Sequence, residues 1–324
     1  MEKYYECLKD DEYKYGHEIE YFWINGVILV VIAVFGLIGN VLNLAVLFQR
    51  TFRKDEFYQL LIILSIFDTF FIISYAIDEG YYYMVCIENY RSVVPVVFCM
   101  FAKIGLVGSI YTTVMISVER YIGICWPFVK YHRKTSVYLV LIVVITLSYN
   151  MPRFLDVEYY VSQGRVKVSD KEWVTDQYKQ RYYGLARSVI EDVLPLLIVT
   201  LLNGFVITEG WKRPKNLKDI ENGSQIYQKE ATKTLLTIVI TFFLVRLVSF
   251  IASVTFYLHG DDRDFRTKWD KLNPIMSVLY ITNSSINFLL YCIVGKKFRN
   301  EFIRILCHKK KLNVSAGGEI DGTL

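Results

Sequence analysis

Seven long apolar stretches dominate the sequence, and polar segments separate them. A soluble domain of this length shows apolar residues in short periodic bursts, whereas a helix that crosses a bilayer needs about 20 apolar residues. The pattern therefore predicts an all-α membrane protein, a seven-transmembrane helix bundle. The predicted spans are Phe22–Phe48, Phe57–Ile77, Val93–Ile124, Val137–Met151, Leu185–Thr208, Leu235–Leu258 and Leu272–Val294.

Dense clusters of lysine and arginine occupy alternate polar segments, namely Gln49–Glu56, Lys130–Ser136, Glu209–Lys233 and Lys296–Leu324. Basic residues mark cytoplasmic loops, and the other segments carry more acids than bases. We therefore expect a multi-pass plasma-membrane protein with an extracellular N-terminus and a cytoplasmic C-terminus. The predicted parts are an N-terminal segment (1–21), a transmembrane domain (22–294), an interfacial helix (295–307) and a disordered tail (308–324).

Composition narrows the class further. The chain is 53% hydrophobic with a net charge of +5, and its basic residues flank the apolar stretches. This arrangement favours membrane lipid over nucleic acid as a partner. Its four histidines show no metal-ligand spacing, so neither a catalytic cluster nor a metal centre is expected.

Polar residues stand inside four of the apolar stretches, where they are costly and usually face the bundle interior. Asn283 and Asn287 are four residues apart, so they share one helix face, which we expect to turn toward Asp68. A carboxylate among amides and hydroxyls suits a small cation such as Na⁺, or a proton. Alternatively, these groups only join helices. The predicted polar core is Asn40, Asp68, Ser109, Asn283 and Asn287.

A set of motifs along the chain resembles the rhodopsin-like (class A) G-protein-coupled receptors. The motifs are Gly39–Asn40, Asp68, the Glu-Arg-Tyr sequence at 119–121, Pro195, and the Asn-x-x-x-Asn-x-x-x-Tyr pattern that ends at Tyr291. They occur in the family's order over nearly the whole chain, from Phe22 to about Cys307.

Departures from the family pattern narrow the resemblance. Phe288 replaces the proline of the seventh span, so the usual proline kink is absent, and the sixth span lacks the family's Cys-Trp-x-Pro. Both cysteines of the outer disulfide are missing, since Pro95 fills one slot and Arg153–Gly184 contains no cysteine. The remaining motifs, such as Met-Pro-Arg-Phe at 151–154, are similar to those of invertebrate FMRFamide-type neuropeptide receptors.

The resemblance implies a ligand in the outer half of the bundle and a heterotrimeric G protein at the inner face. An Arg-Phe-amide peptide needs a carboxylate for its guanidinium and aromatic groups for its phenylalanine. The candidate ligand contacts are Glu79, Lys103, Arg187, Glu191, Asp192 and Arg246. An alternative for Arg187 and Glu191 is that they pair only with each other, since they are four residues apart.

At the inner face, Glu119 is expected to hold Arg120 at rest, with Tyr121 and Tyr291 completing the G-protein switch. The basic, amphipathic stretch after Val294 matches the family's short eighth helix. Cys307 at its end is a candidate for palmitoylation, although it fits a free thiol equally well. Cys7, Cys86 and Cys99 are candidates for an outer disulfide whose pairing the sequence leaves open.

Two other functions compete with a peptide receptor. An ion or solute transporter also explains Asp68 and the buried amides, but not the Glu-Arg-Tyr motif or the final amphipathic helix. A chemosensory receptor for another peptide or a small molecule fits every motif, and outer carboxylates favour a cationic peptide over it.

Overall fold

The computed structural model describes residues 22–80, 93–126, 135–162, 165–212, 223–259 and 263–316. Cys7 and Cys86 lie outside these residues. Cys99 forms no disulfide with any cysteine of the described ranges.

Helices form almost the entire described structure. The regular helices longer than a single turn are α1 (Leu29–Leu47), α2 (Glu56–Tyr75), α3 (Val93–Cys125), α4 (Thr135–Leu155), α5 (Leu194–Lys212), α6 (Gly223–His259), α7 (Arg263–Ser285), α8 (Asn287–Val294) and α9 (Lys296–Ala316). A single helical turn forms at Asp176–Tyr178. Wider π-helical turns extend several of them, at Phe22–Ile28, Ala76–Gly80, Lys179–Ala186 and Ser188–Val193.

Six of these helical segments are long and apolar enough to cross a membrane, and the bent pair α7–α8 makes a seventh. The predicted seven-helix bundle is therefore confirmed, with each span close to its expected bounds. The helix faces follow the arrangement that a lipid solvent requires. In α4, Ile142 and Thr146 are buried, whereas Val140 and Leu147 point outward with more than half of their surface exposed.

The helix α3 is the most buried of the six continuous spans. It packs on α2, α4 and α5, while α1 packs on α2 and α7. Two glycines of α3 permit this close packing. A Cβ atom on Gly105 would lie 2.6 Å from the backbone nitrogen of Phe71, and one on Gly108 would lie 2.2 Å from the Phe67 ring. Small residues allow membrane helices to approach in this way.

The last span is bent by 45° between α7 and α8, although it lacks the family's proline. Two features replace the proline at this point. The Asn40 amide donates to the backbone oxygen of Ser284 at 3.2 Å, and the serine pair Ser284–Ser285 precedes the break. Both are recognised causes of helix kinks. The missing proline therefore does not imply a straight helix.

A β-hairpin follows α4, a departure from the all-helical prediction. The strand β1 (Val157–Ser162) pairs antiparallel with β2 (Arg165–Asp170), and Val157 lies opposite Asp170. The alternating residues of Arg-Val-Lys-Val-Ser at 165–169 and the glycine at 164 were the sequence signals for it. We call the side of the bundle that carries this hairpin the hairpin end, and the opposite side the Arg120 end.

The final helix α9 begins where the sequence predicted but continues past Cys307 to Ala316. Residues 308–316, predicted as part of a disordered tail, are therefore helical, and the lysine run at 309–311 consists of good helix formers. Phe298 and Phe302 pack edge-on against Phe288, with ring centroids 6.1 and 5.3 Å apart. These contacts fix the start of α9 to α8.

We expect Gly105→Ala to lower the stability of the bundle, because the added methyl group would collide with the backbone of α2. Overpacking of this kind costs about 1–3 kcal/mol. Thermal unfolding of the detergent-solubilised protein measures the effect. Gly204→Ala in α5 is the matched control, since no atom lies within 4 Å of its added Cβ. Equal unfolding temperatures for the two variants would contradict the close approach of α2 and α3.

Candidate functional site

Buried and partly buried polar side chains form three groups in the bundle, one of which includes an aromatic ring. The central polar network consists of Asn40, Asp68, Ser109 and Asn287. The hairpin-end cluster consists of Lys103, Tyr149, Arg187, Glu191, Asp192 and Arg246. The Arg120 cluster consists of Asp55, Phe57, Glu119, Arg120 and Tyr138.

In the central polar network, the Asp68 carboxylate accepts one hydrogen bond on each oxygen. The Ser109 hydroxyl donates to Oδ1 at 2.6 Å, and the Asn287 amide donates to Oδ2 at 2.7 Å. Asp68 is fully buried and thereby joins α2, α3 and α8. Asn40 reaches the same region through the Ser284 backbone oxygen.

Asn283 does not share in this network. Within the described ranges, no hydrogen bond joins its side chain to Asp68, and the bend at Ile286 separates it from Asn287. Asn287 alone makes the contact that the sequence assigned to both amides. Binding of Na⁺ near Asp68 stays a prediction.

In the hairpin-end cluster, Glu191 contacts three other side chains. Its Oε2 lies 3.7 Å from the Lys103 ammonium and 3.5 Å from Nε of Arg187. The Tyr149 hydroxyl donates to Oε1 at 3.0 Å. The pairing of Arg187 with Glu191 is therefore present, and Lys103 adds a second cation to it.

The next residue, Asp192, forms a separate pair with Arg246. Its Oδ1 lies 3.5 Å from Nη1 of Arg246, and both residues are 1% exposed. Arg246 also lies above the Phe242 and Tyr280 rings, at 5.7 and 5.4 Å from their centroids. Arg246 occupies the middle of α6, where the family's Cys-Trp-x-Pro is absent.

Two adjacent acids can both face inward here because of the local helix geometry. Neighbouring residues of an α-helix diverge by about 100°, but Glu191 and Asp192 lie in the π-helical turn Ser188–Val193. Its wider turn reduces that angle. Pro195 follows within the same continuous helical span, where its missing N–H removes one intrahelical hydrogen bond.

A row of aromatic residues connects this cluster to the loop beside the hairpin. Tyr178 stacks on Tyr182 with ring centroids 5.5 Å apart, and Tyr182 donates to the backbone oxygen of Tyr149. Tyr178 also donates to Asp156, at 3.2 Å from Oδ2. Burial and the Asp156 carboxylate raise the pKa of Tyr178 to about 12. These contacts hold the loop to the bundle where the family's disulfide is absent.

Glu79 lies at the same end, outside these ion pairs. It is one of the residues in the π-helical turn Ala76–Gly80, and its Oε2 accepts a hydrogen bond from Asn25 at 3.3 Å. The contact links the end of α2 to the turn before α1.

In the Arg120 cluster, Arg120 lies 3.6 Å from Oδ1 of Asp55, and its guanidinium sits 3.8 Å above the Phe57 ring centre. Asp55 also caps α2, because Oδ1 accepts the Phe57 backbone N–H at 2.9 Å. Glu119 accepts a hydrogen bond from Tyr138 at 2.6 Å. No ion pair joins Glu119 to Arg120 among the described residues, so Asp55 takes the place predicted for Glu119.

The two switch tyrosines lie apart from Arg120's ion pair. The Tyr121 ring packs against Phe205 at 5.9 Å. Tyr291 is 1% exposed, and its hydroxyl has no hydrogen-bond partner within the described part of the chain. It lines a small cavity with Tyr58, Thr234 and Phe298 that has room for about one water molecule.

The sequence analysis missed four residues of these groups, namely Asp55, Phe57, Tyr138 and Tyr149, and it also missed Asn25, the partner of Glu79. Two of them carried a recognisable signal. Asp55 precedes Glu56 at the start of an apolar stretch, a typical N-cap position. Tyr149 and Asn150 interrupt the apolar pattern of the fourth span.

The sequence matches the family "7 transmembrane receptor (rhodopsin family)" over residues 39–291. The matched region includes the whole central polar network, the Arg120 cluster and every charged residue of the hairpin-end cluster.

Individual relatives give a finer comparison. The chain is 26% identical over 309 residues to the "FMRFamide receptor" of Drosophila melanogaster, a match that covers 89% of this chain and 55% of the relative. It is 23% identical over 297 residues to "FMRFamide peptide receptor frpr-18" of Caenorhabditis elegans, covering 86% of this chain and 68% of that protein. The chain therefore spans about half the length of the Drosophila protein.

We expect Asn287→Ala to destabilise the bundle more than Asn283→Ala does. Loss of Asn287 leaves Oδ2 of a fully buried carboxylate without its donor, which costs about 1–3 kcal/mol. Asn283 is the matched control, since it lies in the same span outside the network. Thermal unfolding of both purified variants checks the difference, and equal losses would contradict the role of Asn287.

Proposed function

Because the chain belongs to the rhodopsin family of seven-transmembrane receptors, we propose that it is a neuropeptide receptor. It binds a short amidated peptide of the FMRFamide type outside the plasma membrane and activates a heterotrimeric G protein in the cytoplasm. The observation that carries this proposal is the similarity to FMRFamide receptors of two phyla over more than four fifths of the chain.

The hairpin end is the proposed ligand side. It contains Lys103 and Arg187 as partly exposed cations and Asp192–Arg246 as a buried ion pair. Trp173, half exposed, packs edge-on against Tyr178 with ring centroids 5.3 Å apart. Such aromatic surface suits a peptide phenylalanine, and Glu79 is the proposed carboxylate for the peptide's arginine.

The Arg120 end is the proposed G-protein side. Release of Arg120 from Asp55 would free its guanidinium for the G protein, and Glu119, Tyr121 and Tyr291 are the other residues of the proposed switch. The central polar network joins helices that reach both ends, so it is the proposed connection between ligand and G protein. Cys307 is exposed on α9, and we propose that a palmitoyl group there adds to membrane anchoring.

A second-messenger assay tests the proposed function. Cells that express the chain with a promiscuous G protein are exposed to amidated Arg-Phe peptides and to their free-acid forms. We expect a response to the amidated peptides. Silence toward every peptide, with the protein at the cell surface, would contradict the proposal and favour a receptor for another peptide or a small chemosensory ligand.

We expect Asp55→Asn to raise basal signalling, because it removes the charge that holds Arg120. Asparagine caps helices as well as aspartate does, so α2 keeps its cap and the effect reports the ion pair alone. The measurement is basal second-messenger level at matched surface expression. Glu56→Gln is the control, since it removes the adjacent negative charge. Equal basal signalling in Asp55→Asn and the wild type would exclude Asp55 as the restraint.

A further inference from the structure

The hairpin-end cluster contains more positive than negative charge within ion-pair distance. Glu191 alone serves two cations, Lys103 at 3.7 Å and Arg187 at 3.5 Å. Asp192 and Arg246, by contrast, form a one-to-one pair. Among these ion pairs the unbalanced charge therefore lies at Lys103 and Arg187, while Asp78 and Glu79 interact with Lys103 without forming one of these pairs.

The carboxylate of Glu191 has little capacity left for a ligand. Its Oε2 faces both cations, its Oε1 accepts the Tyr149 hydroxyl, and the residue is 1% exposed. A carboxylate binds a guanidinium best through two parallel hydrogen bonds, one on each oxygen. A peptide arginine would have to displace existing partners from both oxygens of Glu191.

The two cations are more accessible than the acid between them. The side chains of Lys103 and Arg187 are 17% and 35% exposed, compared with 2% for Glu191. The contacts of both cations with Glu191 are ion pairs at 3.5 Å or longer. No hydrogen bond joins either cation to another described residue. An ammonium carries three N–H donors and a guanidinium five, so most of these donors have no hydrogen-bond acceptor among the residues that the structure describes.

We propose that Lys103 and Arg187 form a subsite for an oxygen acceptor of the ligand, and that Glu191 positions them instead of binding a ligand cation. The acceptor is the oxygen of the peptide's C-terminal group, either a carboxamide carbonyl or a carboxylate. This inference rests on the proposed function, because it names the peptide group that the same cluster binds. It removes Glu191 from the carboxylates that the sequence offered as candidate partners of the peptide guanidinium.

The experiment measures peptide potency in three receptors at matched surface expression: wild type, Lys103→Met and Glu191→Gln. The ligands are one Arg-Phe peptide in its amidated form and the same peptide as a free acid. Lys103→Met leaves the Arg187–Glu191 and Arg246–Asp192 pairs intact, so each remaining cation of the cluster keeps one acid. Since hydrogen bonds to charged groups contribute about 1.5–3 kcal/mol, we expect Lys103→Met to lower potency by roughly tenfold to a hundredfold.

Glu191→Gln is expected to change peptide potency in the opposite direction from Lys103→Met. It removes the negative charge that competes for both cations, so the potency of the free acid should rise relative to that of the amide. A guanidinium site at Glu191 would instead lose potency toward both peptides. Lys171→Met is the control for general electrostatic attraction, because it removes a positive charge just after β2, outside the cluster.

The outcomes separate this inference from the proposed function. A responsive wild type whose potency is unchanged in Lys103→Met, or falls equally in Lys171→Met, overturns the subsite and leaves the peptide receptor in place. A loss of potency toward both peptides in Glu191→Gln overturns it as well. A wild type that is silent toward both peptides contradicts the proposed function, and the inference fails with it.

Discussion

The Asp68 carboxylate, held by a hydroxyl on one oxygen and an amide on the other, is the interaction on which the bundle depends most. It joins α2, α3 and α8 at a fully buried point. Lipid offers no partner for a polar group, so each such group must find its donors within the protein. The bend between α7 and α8 brings Asn287 to this carboxylate, while Asn40 holds the Ser284 carbonyl at the bend. The position of the last span therefore follows from hydrogen bonding in the bundle interior and needs no proline.

The two ends of the bundle use charge differently. At the Arg120 end, one carboxylate has two roles. Asp55 caps the start of α2 and also forms the ion pair with Arg120. At the hairpin end, one carboxylate serves two cations, and the second acid forms its own pair with Arg246. This difference explains why a count of acids and bases in the sequence is a poor guide to the ligand. Within the hairpin-end cluster the more accessible groups are the cations Lys103 and Arg187, although acids are at least as frequent in that part of the sequence.

The seven spans were predictable because each depends only on the length of an apolar stretch, and the final amphipathic helix was predictable from its pattern. The side-chain contacts between helices were not predictable, because they depend on how the helices rotate and approach one another. Asn283 and Asn287 would share one face of an unbent helix. The bend at Ile286 separates them, so only Asn287 contacts Asp68. The partner of Arg120 is likewise a distant N-cap residue, which lies 65 positions earlier in the chain. The hairpin was missed because its short strands are weak signals beside long apolar stretches.

The central claim is that the Asp68 network connects the ligand side with the G-protein side. Coupling between two sites is reciprocal, so an uncoupled G protein must weaken peptide binding. The most direct test is peptide affinity in membranes with and without a non-hydrolysable GTP analogue, in the wild type and in Ser109→Ala, which removes one hydrogen bond to Asp68. The account predicts that the analogue weakens binding to the wild type and that this change is smaller in Ser109→Ala. The same change in both receptors would contradict it.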